Sequence, residues 1–384
     1  MKIPMLDLGE QYQSMKEEVM SVLDEVMSSS RFILGDNVKK LETDVAEYSS
    51  AGYGIGVGNG SDAIHIALQA AGVGEGDEVI TTAFTFFATG GSIVRTGATP
   101  VFVDIDPVTF NIDPAKIESA ITEKTKAVIP VHLYGQMADM GAIKAIAEKY
   151  DLIIVEDAAQ AIGAKQNGKN VGELGAAATY SFFPTKNLGA YGDGGMIVTN
   201  DEELAEKAKV IRVHGSKPKY YHHVLGYNSR LDELQAAILN VKFPYLDAWS
   251  QARRQKAKYY TDKLAEHLQG VIQTPIQKDG NYHVFHQYTL RVPNRDELQE
   301  YLKNQGIATM IYYPCPLHMQ PVFKDLGYTE GDLPESEKAA REAISLPMYP
   351  ELKQEDQDYI IEKIIKFYKQ PVGASTLESD IQFI

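Results

Sequence analysis

The stretch Ser181-Phe-Phe-Pro-Thr-Lys-Asn-Leu-Gly-Ala-Tyr-Gly-Asp-Gly-Gly195 places a single lysine, Lys186, between two apolar runs. These runs, at residues 178–183 and 196–199, are predicted strands. The glycines after the lysine let the backbone come close to a ligand. Such a lysine is either a solvated surface charge or a desolvated amine, and a desolvated amine can form a Schiff base with a carbonyl group.

Length and composition indicate a globular protein with room for two domains. The chain has 384 residues, of which 44% are hydrophobic and 23% are charged. No run approaches the roughly 20 apolar residues of a membrane span, and the opening Met-Lys-Ile-Pro-Met-Leu-Asp-Leu lacks the apolar segment of a signal peptide. Cys315 is the only cysteine, so no internal disulfide can form, and we expect a cytoplasmic protein.

The charge of the chain argues against nucleic-acid binding. The formal net charge is −15, which repels a phosphate backbone. One segment departs from this balance, because residues 207–223 carry lysine, arginine and histidine but no acid. This basic segment is either a solvated face or a patch that binds an anionic small molecule such as a diphosphate.

A glycine-rich turn precedes a helix early in the chain. The sequence Gly54-Ile-Gly-Val-Gly-Asn-Gly-Ser-Asp62 predicts a short strand and a turn, followed by a helix over 62–71 with Ser61 as its N-cap. Free backbone N–H groups and the helix dipole make such a start favourable for a phosphate. By itself the pattern also fits a plain tight turn.

Apolar strands then alternate with helical segments. Continuous apolar runs of this kind predict a largely parallel sheet covered on both faces, and ligands bind at the carboxyl ends of its strands. That rule selects Glu156-Asp-Ala-Ala-Gln160 and residues 181–186. An acidic residue at the end of a buried strand either pairs with a cation or hydrogen-bond donor or is exposed to solvent at the edge of the sheet. The predicted strands are 78–82, 100–104, 127–131, 152–155, 178–183 and 195–199.

A long helix is predicted to separate the two domains. It begins at Asn228 or Ser229, is kinked at Pro244 and extends to about His267. We expect a large domain over 1–245 and a small α+β domain over 246–384, with a tail at 370–384 that is poorly ordered. The predicted elements of the small domain are strands at 283–292 and 307–313 and helices at 296–304 and 355–369.

Four features converge on pyridoxal 5′-phosphate (PLP). This cofactor needs a lysine for its aldehyde, a carboxylate for its ring nitrogen, a phosphate cradle and a flat group against its ring. The strand-end rule brings candidates for all four into one domain. Lys186 is the candidate for the aldehyde and Asp157 for the ring nitrogen. Phe86 is the candidate for the flat group, and the phosphate cradle would come from Ser61, Asp62 and Ser181.

The chain resembles the DegT/DnrJ/StrS-type sugar aminotransferases, PLP-dependent enzymes of the aspartate aminotransferase fold (fold type I). The similarity extends from Met5 to about Tyr349. It implies an α/β protein whose large domain has a mainly parallel seven-stranded sheet. The motifs that carry it are Asn59-Gly-Ser-Asp-Ala63, Phe84-Thr-Phe-Phe-Ala-Thr89, Glu156-Asp-Ala-Ala-Gln160, residues 181–195, Asn228-Ser-Arg-Leu-Asp232 and Tyr313-Pro-Cys-Pro-Leu-His318.

The resemblance assigns roles to individual residues. Lys186 is the Schiff-base lysine and general base, Asp157 holds the pyridinium and Gln160 contacts the phenolic side of the ring. The family builds its active site between two subunits, which implies a homodimer, and no metal is expected. Ser181 and the turn Gly60, Ser61 and Asp62 hold the phosphate, Phe86 lies against the ring, and Asn228 reaches the phosphate bound by the partner subunit.

The implied reaction moves an amino group from L-glutamate to a keto-sugar attached to a nucleotide diphosphate. A dehydratase branch of the family has histidine in place of Lys186, so the lysine favours transamination. Relatives that act on 4-keto sugars often carry Thr-Gly-Glu-Gly-Gly after the lysine. The sequence Leu188-Gly-Ala-Tyr-Gly-Asp-Gly-Gly195 is instead similar to those that act on 3-keto sugars, which favours a UDP- or dTDP-linked 3-keto substrate over the 4-keto alternative.

Substrate contacts are less defined by the resemblance. Enzymes acting on uronates tend to have His-Tyr where this chain has Tyr312-Tyr313, which disfavours a C6 carboxylate. A non-catalytic sensor or regulator on the same fold is an alternative from another functional class. The candidate substrate contacts are Tyr191, His214, Arg230, Tyr313 and His318, of which Arg230, Tyr313 and His318 are equally candidates for structural hydrogen bonds between the domains.

Overall fold

The computed structural model describes residues 2–369, so the expected tail at 370–384 lies outside the described residues. The described chain alternates helices with strands over most of its length. Its helices are α1 (Leu8–Ser29), α2 (Asp36–Tyr48), α3 (Gly60–Ala70), α4 (Phe87–Arg95), α5 (Pro114–Ile117), α6 (Met140–Tyr150), α7 (Glu202–Ile211), α8 (Glu233–Lys242), α9 (Leu246–Leu268), α10 (Arg295–Asn304), α11 (Pro334–Glu342) and α12 (Gln354–Lys369).

The central sheet is seven-stranded, with the order β1-β9-β8-β5-β4-β2-β3. Strands β3, β2, β4, β5 and β8 are parallel to one another, while β9 runs antiparallel to both β8 and β1. The expectation of an α/β fold with a mainly parallel sheet is confirmed. The strands are β1 (Tyr53–Val57), β2 (Glu78–Thr82), β3 (Thr99–Val103), β4 (Thr125–Ile129), β5 (Ile153–Asp157), β6 (Lys165–Gln166), β7 (Lys169–Asn170), β8 (Ala177–Ser181), β9 (Gly195–Thr199), β10 (Asn281–Tyr282), β11 (Tyr288–Arg291) and β12 (Ala343–Leu346).

Both faces of this sheet are buried, which explains why its strands are continuously apolar. Successive residues of a strand point to opposite faces. Val79 therefore belongs to the core under α3 and α7, whereas Ile80 belongs to the core under α2, α6 and α8. Among residues 2–369, no helix is long and apolar enough to cross a membrane.

A separate core forms in the second half of the chain. It joins α9, α10 and α12 to the antiparallel pair β11 and β12, and Tyr260, Tyr288 and Ile360 are fully buried there. Ile3 also packs into this core and forms a parallel bridge with Ile307. The division into 1–245 and 246–384 stays a prediction.

The long helix predicted from residue 228 is wrong in its start, and at Pro244, where a kink was predicted, it is interrupted. Helix α8 begins at Glu233 with Asp232 at its N-cap, because Asn228 forms a bridge with Val213 and Asp232 forms one with Ile33. A 3₁₀ turn at Phe243–Tyr245 separates α8 from α9. Pro244 has no N–H to donate, so the α-helical hydrogen bonding is interrupted there.

Three other predicted elements differ from the structure. The N-cap of α3 is Asn59 and not Ser61, because the Asn59 side chain accepts the N–H of Asp62 at 2.8 Å. The strand predicted over 307–313 is absent from the described chain, where only isolated bridges at Ile307 and Met310 occur. The strand predicted over 283–292 is reduced to β11, Tyr288–Arg291.

Candidate active site

A cavity of about 510 Å³ lies at the carboxyl ends of β5 and β8. Strand β1 is antiparallel to β9 and β9 is antiparallel to β8, so the carboxyl end of β1 reaches the same edge of the sheet. This topology brings segments that are distant in sequence into one wall. Of the predicted site residues, those lining the cavity are Gly60, Ser61, Phe86, Asp157, Gln160, Ser181, Lys186 and Tyr313.

Lys186 lies in the turn that follows β8, and its backbone N–H donates to the carbonyl of Phe183 at 2.8 Å. Burial lowers the pKa of its amine from 10.5 to about 8, although the negative charge of Asp157 opposes this shift. About a tenth of the amine is therefore unprotonated at pH 7, far more than for an ordinary lysine, and a nucleophilic lysine reacts in that form.

Asp157 ends β5 and faces the same cavity with only 5% of its surface exposed. Its Oδ2 accepts the hydroxyl of Thr89 at 2.7 Å, and its Oδ1 accepts the N–H of Ala159 at 3.2 Å. The two donors satisfy both oxygens of this buried carboxylate. The residue can thus present a fixed negative charge to a ligand.

The start of α3 forms a cradle against Ser181. A Cβ atom added to Gly60 would come within 2.6 Å of Ser181 Cβ, and one added to Gly195 would come within 2.5 Å of the Asn59 carbonyl. Glycine alone permits this approach, which leaves the first N–H groups of the helix and the Ser181 hydroxyl beside the cavity. An anion fits this arrangement.

Asp62 does not line this cradle. Its carboxylate pairs with Arg95 at 3.1 Å and accepts the Asn59 amide at 3.2 Å, while its N–H is used by the Asn59 cap. A phosphate contact through its side chain is therefore not supported by the geometry.

Aromatic and amide groups form the opposite side of the cavity. Phe86 is 56% exposed, and its ring lies 6.0 Å from that of Tyr313. Gln160 is fixed at both ends, because its Oε1 accepts the N–H of Tyr134 at 2.7 Å and its Nε2 donates to the Tyr313 hydroxyl at 3.2 Å. Burial raises the pKa of Tyr313 above its ordinary value, so its hydroxyl stays protonated.

Several further residues line the cavity that no sequence pattern indicated. His286 is the most notable of them: its Nδ1 lies 3.1 Å from Asn187 Oδ1. Burial, followed by the nearby charges of Lys186 and Arg253, holds the pKa of His286 well below 6.5, so the imidazole is neutral. Residue spacing gave no signal for it, because His286 lies in a predicted strand. The other missed residues with polar side chains are Asn59, Thr85, Thr185, Asp193, Gln287 and Tyr312.

Two of the predicted substrate contacts do not line the cavity of their own chain. His318 is 2% exposed, and its Nε2 lies 3.2 Å from Glu337 Oε1, away from the cavity. The ring of Tyr191 packs edge-on against Tyr12, at 5.9 Å, and under the ammonium of Lys242, at 4.9 Å. For His318 this agrees with the structural hydrogen bond that the sequence left open, and the binding role of Tyr191 stays a prediction. A histidine or tyrosine in a motif can be used for packing as readily as for binding.

Three further predicted residues lie outside the cavity of their own chain. His214 and Asn228 are exposed and Arg230 is half-buried. Their binding roles stay predictions, and Asn228 is placed at the surface, as a contact to a partner subunit requires.

Four of the eight basic side chains in the segment 207–223 are paired with acids that precede the segment. Lys207 contacts Glu203 at 2.7 Å, and Glu206 accepts both Lys209 at 2.9 Å and Lys217 at 3.0 Å. These pairs favour the interpretation of a solvated face over a diphosphate patch.

Comparisons with known proteins agree with this geometry. One relative, "Pleiotropic regulatory protein" of Geobacillus stearothermophilus, is 74% identical over 369 residues, covering 96% of this chain and 99% of the relative. A UDP-N-acetyl-3-dehydro-alpha-D-glucosamine 3-aminotransferase of Acidithiobacillus ferrooxidans is 48% identical over 354 residues, covering 92% and 94%. A dTDP-3-amino-3,6-dideoxy-alpha-D-galactopyranose transaminase of Aneurinibacillus thermoaerophilus is 45% identical over 365 residues, covering 95% and 99%.

Solved structures share the fold over almost the whole chain. DesV of S. venezuelae superimposes with a TM-score of 0.94 at 39% identity, covering 96% of this chain and 99% of DesV. Bacillus subtilis ntda, solved with the bound cofactor PMP (the pyridoxamine form), superimposes with a TM-score of 0.90 at 36% identity, covering 96% and 86%. The expected fold type is therefore confirmed.

The family model for the DegT/DnrJ/EryC1/StrS aminotransferases matches residues 13–365. This match covers the sheet, the cavity and most of the second core. The chain belongs to the DegT/DnrJ/EryC1/StrS aminotransferase family, and it is an enzyme of the transferase class.

Proposed function

We propose that this enzyme transfers an amino group from L-glutamate to the C3 keto group of a UDP- or dTDP-linked keto-sugar. The product is a 3-amino sugar nucleotide for polysaccharide or secondary-metabolite synthesis. One observation carries the proposal: the amine of Lys186 and the buried carboxylate of Asp157 face a single cavity beside an anion cradle.

The cofactor is PLP, and the residues of the cavity fit it. The close approach of Gly60 to Ser181 places the start of α3 and the serine hydroxyl where both can bind a phosphate. Phe86 presents a ring to the open cavity. Asp157 can pair with the protonated ring nitrogen, and Lys186 can bond to the aldehyde. When bound, PLP supplies an electron sink that stabilises negative charge at the carbon being aminated or deaminated.

The protein residues position the reactants and move one proton. The pKa of Lys186 is lowered by burial, so its free amine can act as a base and take a proton from the substrate carbon. The resulting ammonium can later donate that proton as an acid. Gln160 and Tyr313 are hydrogen-bonded to each other, which fixes two donors at the cavity wall. Neutral His286 offers no competing positive charge beside Lys186.

The C3 position is supported by sequence and by relatives. The loop Leu188-Gly-Ala-Tyr-Gly-Asp-Gly-Gly195 resembles that of enzymes acting on 3-keto sugars. The Acidithiobacillus and Aneurinibacillus relatives are both named for amination at C3, one with a UDP-sugar and the other with a dTDP-sugar. The nucleotide therefore stays open between these two.

The assembly and location follow from the same proposal. Asn228 is exposed and lies outside its own cavity, as a residue that serves the partner's cofactor in a homodimer would. The single cysteine, Cys315, suits the reducing cytoplasm, where sugar nucleotides are made.

A regulatory function is the second candidate, because the Geobacillus relative carries a regulatory name. The assembled Lys186, Asp157 and Ser181 favour catalysis instead, and the net charge of −15 opposes direct contact with DNA.

The test measures the visible absorbance band of the protein loaded with PLP. We expect L-glutamate to remove the band and a 3-keto sugar nucleotide to restore it, in a panel of UDP- and dTDP-linked 3-keto and 4-keto sugars. Restoration by 4-keto sugars alone would overturn the C3 assignment but keep the aminotransferase. DNA binding in a gel shift, with no response to glutamate, would establish the regulatory alternative.

A further inference from the structure

Thr89 lies behind the cavity, on the first turn of α4, and contacts Asp157. It is fully buried at 0% exposure, and its hydroxyl donates to Asp157 Oδ2 at 2.7 Å. The other carboxylate oxygen accepts only the backbone N–H of Ala159. Among residues 2–369, Thr89 is thus the one side chain that donates a hydrogen bond to this carboxylate.

A second threonine extends this contact to the cavity. Thr85 Oγ1 lies 3.1 Å from Thr89 Oγ1 and lines the cavity, whereas Thr89 does not. A carboxylate can only accept, so the single hydroxyl proton of Thr89 points to Asp157. The oxygen of Thr89 therefore accepts the proton of Thr85. The bonds run in one direction, from Thr85 through Thr89 to Asp157, and bonds in series strengthen one another.

The backbone links this chain to the aromatic wall. The N–H of Thr89 donates to the carbonyl of Phe86 at 3.2 Å, which closes the first turn of α4. A single turn of helix therefore carries both the ring of Phe86 and the hydroxyl that holds Asp157. The position of Phe86, the candidate for the face of a bound ring, is therefore coupled to that of Asp157, the candidate for its nitrogen.

We propose that Thr89 is a positioning residue for the cofactor. Its hydroxyl, supported by Thr85, holds Asp157 as an oriented carboxylate that keeps the ring nitrogen of PLP protonated. Because Thr89 does not reach the cavity, it acts through Asp157. This inference rests on the proposed function, since it requires PLP in the cavity.

The experiment replaces Thr89 with valine, which keeps the shape and removes the donor. PLP binding is titrated by absorbance, and the protonation of the ring nitrogen is read from the NMR shift of ¹⁵N-labelled PLP. We expect Thr89→Val to weaken PLP binding about tenfold, the effect of one hydrogen bond to a charged group. The ring-nitrogen signal should move toward the unprotonated form, and Thr89→Ser should restore both properties.

Thr81→Val is the matched control. Thr81 is also fully buried, and its hydroxyl donates to the Ile129 carbonyl at 2.8 Å, outside the cavity. The Thr81→Val variant should be less stable than the wild-type protein but should show the same PLP affinity and the same ring-nitrogen shift. This pattern separates a role at the cofactor from the general cost of removing a buried hydroxyl.

Unchanged affinity and shift in Thr89→Val would overturn the inference. If that variant does not fold, Thr85→Val decides through the ring-nitrogen signal: a move toward the unprotonated form supports the chain of bonds, and an unchanged signal contradicts it. Failure of the wild-type protein to bind PLP would instead overturn the proposed function itself, so the two failures are distinguishable.

Discussion

Gly60 and Ser181, which are far apart in sequence, lie in contact at the rim of the cavity. A Cβ on Gly60 would stand 2.6 Å from Ser181 Cβ and 3.0 Å from its hydroxyl oxygen. Real Cβ atoms do not approach so closely, so the contact exists because residue 60 has no side chain. The helix start and the serine hydroxyl together define where an anion can sit.

Gly60→Ala should therefore weaken PLP binding. The methyl group forces α3 and Ser181 apart, and overpacking of this kind costs about 1–3 kcal/mol. If that cost falls on the cradle, the dissociation constant of PLP rises about tenfold or more. Absorbance titration of the cofactor-free protein measures it.

Gly141→Ala is the matched control, since Gly141 is also in the first turn of a helix, α6. A Cβ added to Gly141 would have Asp139 Oδ1 as its nearest neighbour, at 3.6 Å, which is an ordinary van der Waals contact. We expect unchanged PLP affinity and equal or slightly higher stability. Equal affinity in the two variants would contradict the cradle.

Glu156 should be essential for stability although it does not face the cavity. It is fully buried, and its oxygens accept His132 Nε2 at 2.8 Å and the N–H groups of Gly172 at 3.2 Å and Gly175 at 2.9 Å. The N–H of Ala138 donates to His132 Nδ1, so the imidazole proton is on Nε2. All three partners of Glu156 are therefore donors.

Glu156→Gln should lower the free energy of unfolding by about 2–3 kcal/mol, because one end of the amide must direct its NH₂ at a donor. Urea unfolding of the cofactor-free protein measures this loss. Glu148→Gln, on an exposed side chain paired with Lys144, should change it by less than about 0.5 kcal/mol. A similar small change at residue 156 would show that the buried contacts are not needed.

The reactivity of Lys186 toward PLP should depend on pH with a midpoint near 8. Burial lowers the pKa of its amine from 10.5 to about 8 in the cofactor-free protein, and only the unprotonated amine attacks the aldehyde. The rate of covalent incorporation should rise as pH passes through about 8 and then level off. Stopped-flow absorbance would measure it, with Nα-acetyl-lysine as the reference. A rate that keeps rising to pH 10, as for the free amino acid, would contradict the shift.

The sequence predicted the parts of the site that depend on strand ends. Asp157 and Lys186 follow buried apolar runs, and the rule that ligands collect at the carboxyl ends of parallel strands placed both correctly in one cavity. The class of fold was predictable for the same reason. Continuous apolar strands require cover on both faces.

The remaining features depend on tertiary contacts that spacing does not encode. Thr89 is identified only by its hydrogen bond to Asp157, and His286 only by its position beside the loop of Lys186. The sequence left His318 open between a substrate contact and a structural hydrogen bond, and the structure shows it buried against Glu337. The N-cap of α3 is Asn59, whereas Ser61 was predicted, because both side chains are common at N-caps and the sequence does not distinguish them.

The most direct test of the central claim is to locate the lysine that bonds to PLP. Borohydride reduction of PLP-loaded protein fixes the cofactor to that lysine, and peptide mass mapping then identifies it. The account predicts a single modified peptide carrying the cofactor on Lys186, and its loss together with the visible band in Lys186→Ala. Modification of a different lysine, or an unchanged band in Lys186→Ala, would contradict the assignment of this cavity as the active site.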